Sequence, residues 1–437
     1  MSVAARSLGG VLAAIAGRER VLEDDGARER FAVDGRAPRW IVRPASLEQA
    51  ARVLALAHDE GLAVVPRGSG GALEQGGPPA RVDVVLDLAA LDRVLEYNPD
   101  DLTITVEAGV TLGALAARLA AHRQFLPLDP PGALARTLGG IVATGASGPL
   151  RARYGTMRDL LLGVRFVQAD GVVTWGGARV VKSVSGYDVP KLMVGALGTL
   201  GVLGELTLRL YPAPDFEATW LAGLADATAA QAFVTRLLDS TVQPSRVELL
   251  NVPALAACGI AGPAAGVAVS IASVEAAVRA QGEVLHRLGR DAGTVAPVGA
   301  GFWADHAKAM APDGGVHLAL GTLASRLGET LDEIERVVAE AQPAARPTVT
   351  GCAPLGSLRV WLPGTDVHAV GAVVERLRAF VAPVGGSVVI QRAPAAVRVA
   401  VDPWGPIEPG SAALMRGLKN EFDPKRVLNP GRFVGGL

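Results

Sequence analysis

Three glycine-rich segments hold most of the chemistry this sequence could do. The first is Pro66-Arg67-Gly68-Ser69-Gly70-Gly71. Glycines tolerate positive φ and let backbone N–H groups come close to a ligand. Successive N–H groups in such a turn form a nest for oxyanions, so a pyrophosphate is its natural guest. The loop is not a Rossmann fingerprint, because the glycine spacing is wrong and no long helix plainly follows. Nor is it a P-loop, since no Gly-Lys-Ser/Thr closes it. Taken alone, it also fits a surface turn that binds nothing.

The second segment runs Asp129-Pro130-Pro131-Gly132, then Thr137-Leu138-Gly139-Gly140-Ile141-Val142-Ala143-Thr144-Gly145-Ala146-Ser147-Gly148, then Arg153-Tyr154-Gly155. Small residues let a planar ring or a phosphate chain lie on the backbone, and Thr and Ser hydroxyls can donate to its oxygens. The same composition fits a tight helix crossing. The third segment is Val181-Lys182-Ser183-Val184-Ser185-Gly186-Tyr187-Asp188-Val189-Pro190-Lys191, followed by Gly195-Ala196-Leu197-Gly198-Thr199-Leu200-Gly201-Val202-Leu203-Gly204. Lys182, Tyr187, Asp188 and Lys191 stand out in an otherwise apolar stretch. They can satisfy one another as ion pairs or face a ligand.

These segments need elements to hold them. Ser46-Leu47-Glu48-Gln49 reads as a capping box. Leu47, Ala50, Ala51, Leu54 and Ala57 continue at helical period, and Gly61 suits the C-cap. Leu62 to Val65 and Val82 to Leu88 read as buried strands, the first stopped by Pro66. Thr103 to Glu107 alternates as a half-exposed strand. Leu112, Leu115, Ala116 and Leu119 mark a helix. Asp170-Gly171 sits between two apolar runs as a hairpin turn. From 215 onward, apolar runs (Arg246 to Leu250, Val267 to Ala272, His317 to Leu320, Val397 to Val401) alternate with helical patterns near Val274 to Leu288, Glu329 to Ala341 and Asp366 to Val381. That rhythm predicts a helix-covered antiparallel sheet of the β-α-β-β-α-β kind. The Pro/Gly-rich stretch 345–363 fits no element plainly, and no fixed-period repeat of the solenoid kind is visible.

Bulk properties narrow the function. The 437 residues carry 42 Lys+Arg against 43 Asp+Glu, a formal net charge of -1. Such balance gives no reason to expect nucleic acid or an anionic membrane as partner. Two cysteines, Cys258 and Cys352, cannot build a disulfide framework or a four-cysteine cluster, so any iron-sulfur centre must sit on another chain. No run reaches the roughly 18 apolar residues of a membrane span. Leu8, Val11, Leu12 and Ile15 share one face of a short helix, a better reading of the N-terminus than a signal peptide. A cytoplasmic location is the expectation.

The ordered set of motifs resembles the FAD-linked oxidases of the vanillyl-alcohol-oxidase (PCMH) type. The Pro-Arg-Gly loop, the Thr-x-Gly-Gly-x-x-Ala-Thr segment, the Gly-Thr-Leu-Gly-Val segment and a terminal Asp-Pro-x-x-x-Leu-Asn-Pro-Gly occur in order. The likeness covers 36–211 strongly and 414–432 well. The stretch from Val181 to Asp188 is most similar to the FAD-binding subunits of glycolate oxidases, which usually have Asn where Ser183 stands. The resemblance implies an α+β fold: a two-subdomain PCMH-type FAD-binding domain over 36–211, an α+β cap with an antiparallel sheet over 212–403, an N-terminal helical segment over 1–35, and a tail from 404 to 437 that returns to the FAD domain.

It also implies roles. Pro66, Arg67, Gly68, Ser69, Gly70 and Gly71 would hold the pyrophosphate. Pro130, Thr137, Gly139, Gly140, Ala143, Thr144 and Gly148 would line the phosphates, ribityl chain and ring. Val202 would meet the adenine or ring side through its backbone, and Asn429 would close the site. No His or Cys lies in the first two segments to carry a covalent flavin, so FAD would be held non-covalently. Related dehydrogenases carry a His-x-Gly-Asp-Gly-Asn-x-His metal motif. The place matched to it here, Gly385 to Arg392, has neither histidine nor a carboxylate pair, so no metal is expected. The first reading is the FAD subunit of a glycolate-oxidase-like complex, oxidising a 2-hydroxy acid with a sister flavin subunit and an iron-sulfur subunit. The alternative is a self-sufficient dehydrogenase of a hydroxy acid or sugar-like alcohol, with Lys182, Tyr187 and Arg392 as weak candidates to hold or act on the substrate.

Overall fold

The computed structural model describes residues 7–178, 186–290 and 293–437. The chain builds three substantial sheets. The first has four strands in the order Val21–Leu22, Trp40–Val42, Val84–Asp87, Val64–Arg67. Its last three are parallel neighbours, which fits their unbroken apolar sequences and burial. The helix Leu47–Glu60 packs beside it. Ser46 Oγ caps the helix by accepting from the Gln49 N–H at 3.3 Å, and Gly61 ends it at φ 63°. Gln49 Oε1 reaches back one residue further than a capping box requires, to the Ala45 N–H at 2.7 Å. The first strand runs through Pro66 instead of stopping at it, because an edge strand does not need that N–H.

The second sheet is antiparallel, in the order Val94–Asn98, Thr103–Glu107, Val202–Arg209, Leu161–Val167, Val173–Gly177. The hairpin around Asp170-Gly171 joins its last two strands, Gly171 taking φ 88°. The alternating strand Thr103–Glu107 is buried along its whole length. Thr105 and Thr207 satisfy each other across the strands, hydroxyl to hydroxyl at 3.0 Å, so polar side chains lie inside at little cost.

The third sheet has eight antiparallel strands, in the order Gly293–Pro297, Phe216–Leu224, Ala265–Ser273, Arg246–Asn251, Thr348–Cys352, Ser357–Leu362, Val316–Gly321, Ser387–Arg392. It consists of two β-α-β-β-α-β units, 216–297 and 316–392, joined edge to edge where Arg246–Asn251 pairs with Thr348–Cys352. The sequence rhythm predicts one such motif. Its duplication is hidden because the two copies share topology and no residue pattern. The helices Ala227–Leu238, Glu275–Gly289, Leu327–Ala341 and Val367–Val381 cover one face, closing a core around Val267, Ile271, Leu320, Ile334, Val360 and Leu377. Period-2 alternation sends the other residues of the same strands to the opposite face. There the sheet carries Arg246, Glu248, His317, Ser357, Arg359 and Gln391.

Two sequence expectations are corrected. The Pro/Gly-rich stretch 345–363 holds two paired strands, turned by Pro354 and by Gly356 at φ 59°. Val397 to Val401 is not a strand. Ala395–Ala400 is a short helix entered from Pro394, and Val397 packs on the cap core while Arg398 points the other way, into a buried ion pair with Asp34.

The tail folds back onto the first domain. The helix Pro409–Phe422 ends near a fully buried pair, Lys419 Nζ to Asp423 Oδ2 at 2.6 Å, and Lys419 also donates to the carbonyls of Thr199 and Leu428. Leu428 then bridges Val64 in parallel, and the Asn429 N–H donates to the Val64 carbonyl at 3.0 Å. The last residues thereby extend the four-stranded sheet beside the Pro66 loop.

Candidate functional site

A narrow cleft of about 80 Å³ gathers parts of all three glycine-rich segments and the tail. Pro66, Arg67, Gly68, Ser69, Gly70 and Gly71 form one wall. Thr137, Gly140, Ala143 and Thr144 form the other, and Leu197, Asn429 and Arg432 close the end. Contacts fix these walls at the first residue of each turn. Thr137 caps the helix Leu138–Thr144, accepting from the Gly140 N–H at 3.3 Å. A Cβ on Gly68 would stand 2.2 Å from Thr137 Oγ1, so only glycine lets the loop close on the helix. By contrast, a Cβ on Gly71 would meet nothing within 4 Å, and one on Gly140 would meet only Thr137 Oγ1 at 3.1 Å. Those two glycines leave room for something else.

The cleft also holds buried polar atoms without a partner among the described residues: Arg67 Nε, Asn429 Oδ1, and Arg432 Nε and Nη1. A buried, unsatisfied polar group costs roughly 1–3 kcal/mol. Asn429 is held in position by donating from Nδ2 to the Leu197 carbonyl at 2.6 Å, which leaves its oxygen facing the cleft. Arg432 donates to the Leu73 and Gln75 carbonyls, and burial pushes its guanidinium down to about 10. Arg67 lies over the Phe31 ring, 4.3 Å from its centroid. Two guanidiniums and open backbone at glycine fit an anionic ligand with a flat or extended part.

The third segment acts mainly as a brace. Gly195 and Leu197 donate their N–H groups to the Val142 and Ala143 carbonyls at 2.9 and 2.8 Å. Asp188 caps the helix Val189–Met193 and pairs with Lys191 at 2.6 Å, so these two polar residues satisfy each other. Tyr187 is 94% exposed and lines neither cavity. Lys182 lies outside the described residues.

Four predicted cofactor residues are placed behind the walls. Gly139 packs on Ala108, with a Cβ position 2.8 Å from that methyl. Gly148 abuts the Asp129 carbonyl, where a Cβ would come within 1.9 Å. Pro130 is buried beside the cavity-lining Pro131. Val202 is fully buried in its strand. Each supports the wall without facing the cleft.

The cleft opens into a larger cavity of about 1130 Å³ between this domain and the polar face of the cap sheet. Arg136 and Thr144 line both spaces. The cavity takes Asp34 and Gly35 from the N-terminal segment, Arg151 from beyond the second glycine segment, and His317, Arg359 and Arg392 from three cap strands. Arg392, a predicted candidate, is paired with Glu74 at 2.5 Å. Burial, reinforced by Arg392, holds the His317 imidazole below its usual range, so this ring is neutral at pH 7. Beneath the cavity, Arg246 of the cap pairs with Asp129 at 3.0 Å and with Glu217, and His306 stands 3.4 Å from the buried Glu248. Burial raises the Asp129 and Glu248 carboxyls, and the cationic neighbours offset that rise. Sequence reading missed Arg136, Arg151 and Arg359. The inward position of Arg359 in Ser357-Leu-Arg-Val-Trp-Leu was its one signal. Among the described residues, no three His, Cys, Asp or Glu side chains converge to hold a metal ion. Burial raises the two thiols to about 11 at Cys258 and about 12 at Cys352, which keeps both protonated. No described helix is long and apolar enough to cross a membrane.

Comparison with known proteins agrees with this geometry. Residues 38–177 match the FAD binding domain family, and 406–433 match the C-terminal domain of FAD linked oxidases. Glycolate oxidase subunit GlcD of Bacillus subtilis is 31% identical over 218 residues, 50% of this chain and 46% of that one. A probable mitochondrial D-lactate dehydrogenase of Danio rerio is 33% identical over 252 residues, 56% of this chain and 50% of that one. The chain thus matches about half the length of these relatives. In structure, 4-ethylphenol oxidase from Gulosibacter chungangensis aligns with TM-score 0.74 over 96% of this chain and 95% of that one, at 16% identity. The two matched domains are those whose residues meet in the cleft. The chain has the fold of the PCMH-type flavoproteins, carries an FAD binding domain and the C-terminal domain of FAD linked oxidases, and takes FAD as its cofactor.

Proposed function

We propose that the chain oxidises a 2-hydroxy acid such as glycolate or D-lactate, working as the FAD subunit of a glycolate-oxidase-like complex and passing electrons to partner subunits. The observation that carries this reading is the cationic cavity beside the cofactor cleft. It is closed by a cap, shares Arg136 and Thr144 with the cleft, and offers an acid group three guanidiniums. The Bacillus relative is named as a glycolate oxidase subunit, and the Danio relative as a D-lactate dehydrogenase. The second name favours the alternative, a chain that completes the oxidation alone.

When bound, FAD supplies the two-electron acceptor. Arg67, Gly68, Ser69, Gly70, Gly71 and Arg432 would hold its pyrophosphate. Thr137, Gly140, Ala143 and Thr144 would form the surface for its extended and planar parts. Asn429 Oδ1 would accept a hydrogen bond from it, and Pro130, Gly139, Gly148 and Val202 would keep those walls in place. His317, neutral at working pH, is the cavity's one imidazole among the described residues, and its Nε2 is tied to the Gly314 carbonyl at 3.2 Å. An absorption spectrum of the purified chain, before and after anaerobic addition of glycolate and D-lactate, tests the reading. A yellow protein that bleaches is a complete dehydrogenase. A yellow protein that bleaches only with its partner subunits present is the complex subunit. A protein that neither acid bleaches under either condition would overturn the hydroxy-acid assignment.

A further inference from the structure

The cations of the larger cavity fall into two kinds. Arg392 is neutralised by Glu74, and Lys308 by Asp305 at 2.9 Å. Among the described residues, no carboxylate neutralises Arg136, Arg151 or Arg359 this way. Arg136 Nη2 donates to Thr144 Oγ1 at 2.9 Å, Arg151 Nη1 to Ser357 Oγ at 3.2 Å, and Arg359 Nη2 to the Ser147 carbonyl at 2.5 Å. All three partners are neutral oxygens. Arg151 Nε is buried with no partner. The nearest carboxylates are already engaged: Asp129 accepts from Arg246 and from the Leu150 N–H, and Glu248 faces His306.

The three guanidiniums come from different parts of the chain. Arg136 leads into the second glycine-rich helix. Arg151 opens the short helix Arg151–Tyr154, and Arg359 projects from the centre of the cap sheet. They repel one another. Arg136 is pushed down to about 10 by burial and then by Arg359, and Arg359 is lowered by burial and by Arg151, against the opposing pull of Glu248 and Asp129. Like charges taken out of water are costly unless an anion joins them. A fork of guanidinium donors suits a carboxylate, which it can bind at two points.

We propose that Arg136, Arg151 and Arg359 form a carboxylate-binding subsite at the cofactor end of the cavity, and that Arg359, delivered by the cap, is its specificity-determining residue. That the anion is a substrate carboxylate rests on the hydroxy-acid reading above. The subsite itself rests on the three unneutralised guanidiniums. Because Arg136 also lines the cofactor cleft, the acid group sits at that end, and a short 2-hydroxy acid keeps its carbinol carbon beside the cleft. Arg392, held by Glu74, is left to the cavity rim.

The test uses the FAD-loaded chain and oxalate, a dicarboxylate that cannot be oxidised as an alcohol. Oxalate should perturb the flavin absorbance saturably. Arg359→Gln should weaken this binding at least tenfold at unchanged FAD content, and Arg359→Lys should fall between them. Arg151→Gln, from the other wall, should also weaken it and guards against a misfolded cap variant. The subsite is overturned if the wild-type protein shows no saturable oxalate effect, or if both glutamine variants bind oxalate as the wild type does. It is equally overturned if Arg359→Gln folds but loses FAD, since the guanidinium would then serve a cofactor phosphate. Saturable, Arg359-dependent oxalate binding by a protein that neither glycolate nor D-lactate bleaches would uphold the subsite and unseat only the hydroxy-acid reading.

Discussion

The two walls of the site are built on opposite principles. The cofactor cleft is made of absent side chains. Gly68 is there so that the loop can close on Thr137, and Gly71 and Gly140 leave their space to a ligand. The cap face is made of long charged side chains on a rigid sheet, with Arg246 and Glu248 on one strand and Arg359 two strands away, joined in register through Thr348–Cys352. A backbone-lined cleft recognises whatever shape fits it, and any added atom blocks it. A side-chain-lined cavity recognises charge, and its members can be exchanged one by one for graded effects. If this contrast is right, substitutions should act all-or-none on one side and by degrees on the other.

The sharpest way to break the comparison is Gly140→Trp. A Cβ there would press only on the Thr137 hydroxyl, at 3.1 Å, so the protein should fold, yet the indole would fill the cleft facing Pro66 to Gly71. The purified variant should be colourless and keep the wild-type far-UV circular dichroism. A yellow, folded Gly140→Trp protein would show that the cleft is not where FAD lies.

On the cap side, Arg246→Met should leave FAD in place and loosen the cap. It removes the partner of Asp129 and Glu217 and leaves the half-buried Asp129 carboxylate without its cation. Breaking such a pair costs roughly 3 kcal/mol. Denaturant unfolding should show that loss, and limited proteolysis should cut the cap sooner than the FAD domain. Equal protease resistance in both halves would mean that the pair does not couple them.

Asn429→Ala lies between these cases. It removes a single oxygen from the cleft and the hydrogen bond to Leu197. At about 1–3 kcal/mol for one such group, FAD should dissociate on the order of 10- to 100-fold more readily by equilibrium dialysis. An unchanged affinity would place the tail outside the cofactor's contacts.

How far the sequence revealed each wall follows from the same contrast. Glycine is read directly, because a run such as Pro66 to Gly71 has few other uses. The loop and helix that line the cleft were therefore legible, but not Arg136, Leu197 or Arg432, nor which glycines face the opening and which only allow packing. Gly139 and Gly148 look like Gly140 in sequence, and only the neighbouring Ala108 and Asp129 tell them apart. Arg359 offered only its place in an alternating strand. An arginine in an apolar strand gains its meaning from the strands beside it, and its pairing partners Ala319 and Thr350 lie on separate elements. The turn at Pro354 and Gly356 also disguised the strand that carries it. Loops announce themselves through local conformation, whereas a sheet face exists only after long-range pairing.

His317 supplies the smallest expected effect and a check on charge at the cap face. Its folded-state pKa lies below the ordinary 6.5, through burial first and then through Arg392. In the window just below 6.5 the unfolded chain therefore binds more protons there than the folded one. Stability from this group is present above 6.5 and is lost as pH falls through the window. His317→Gln keeps a neutral side chain that does not titrate. Its melting temperature should fall less than that of the wild type between pH 7 and pH 5, and the difference isolates this group from the carboxyls titrating nearby. Parallel melting curves would mean that the imidazole protonates freely in the cavity. That would in turn require an anion close enough to accept the added charge beside Arg392 and Arg359, in a space where the described carboxylates are already paired.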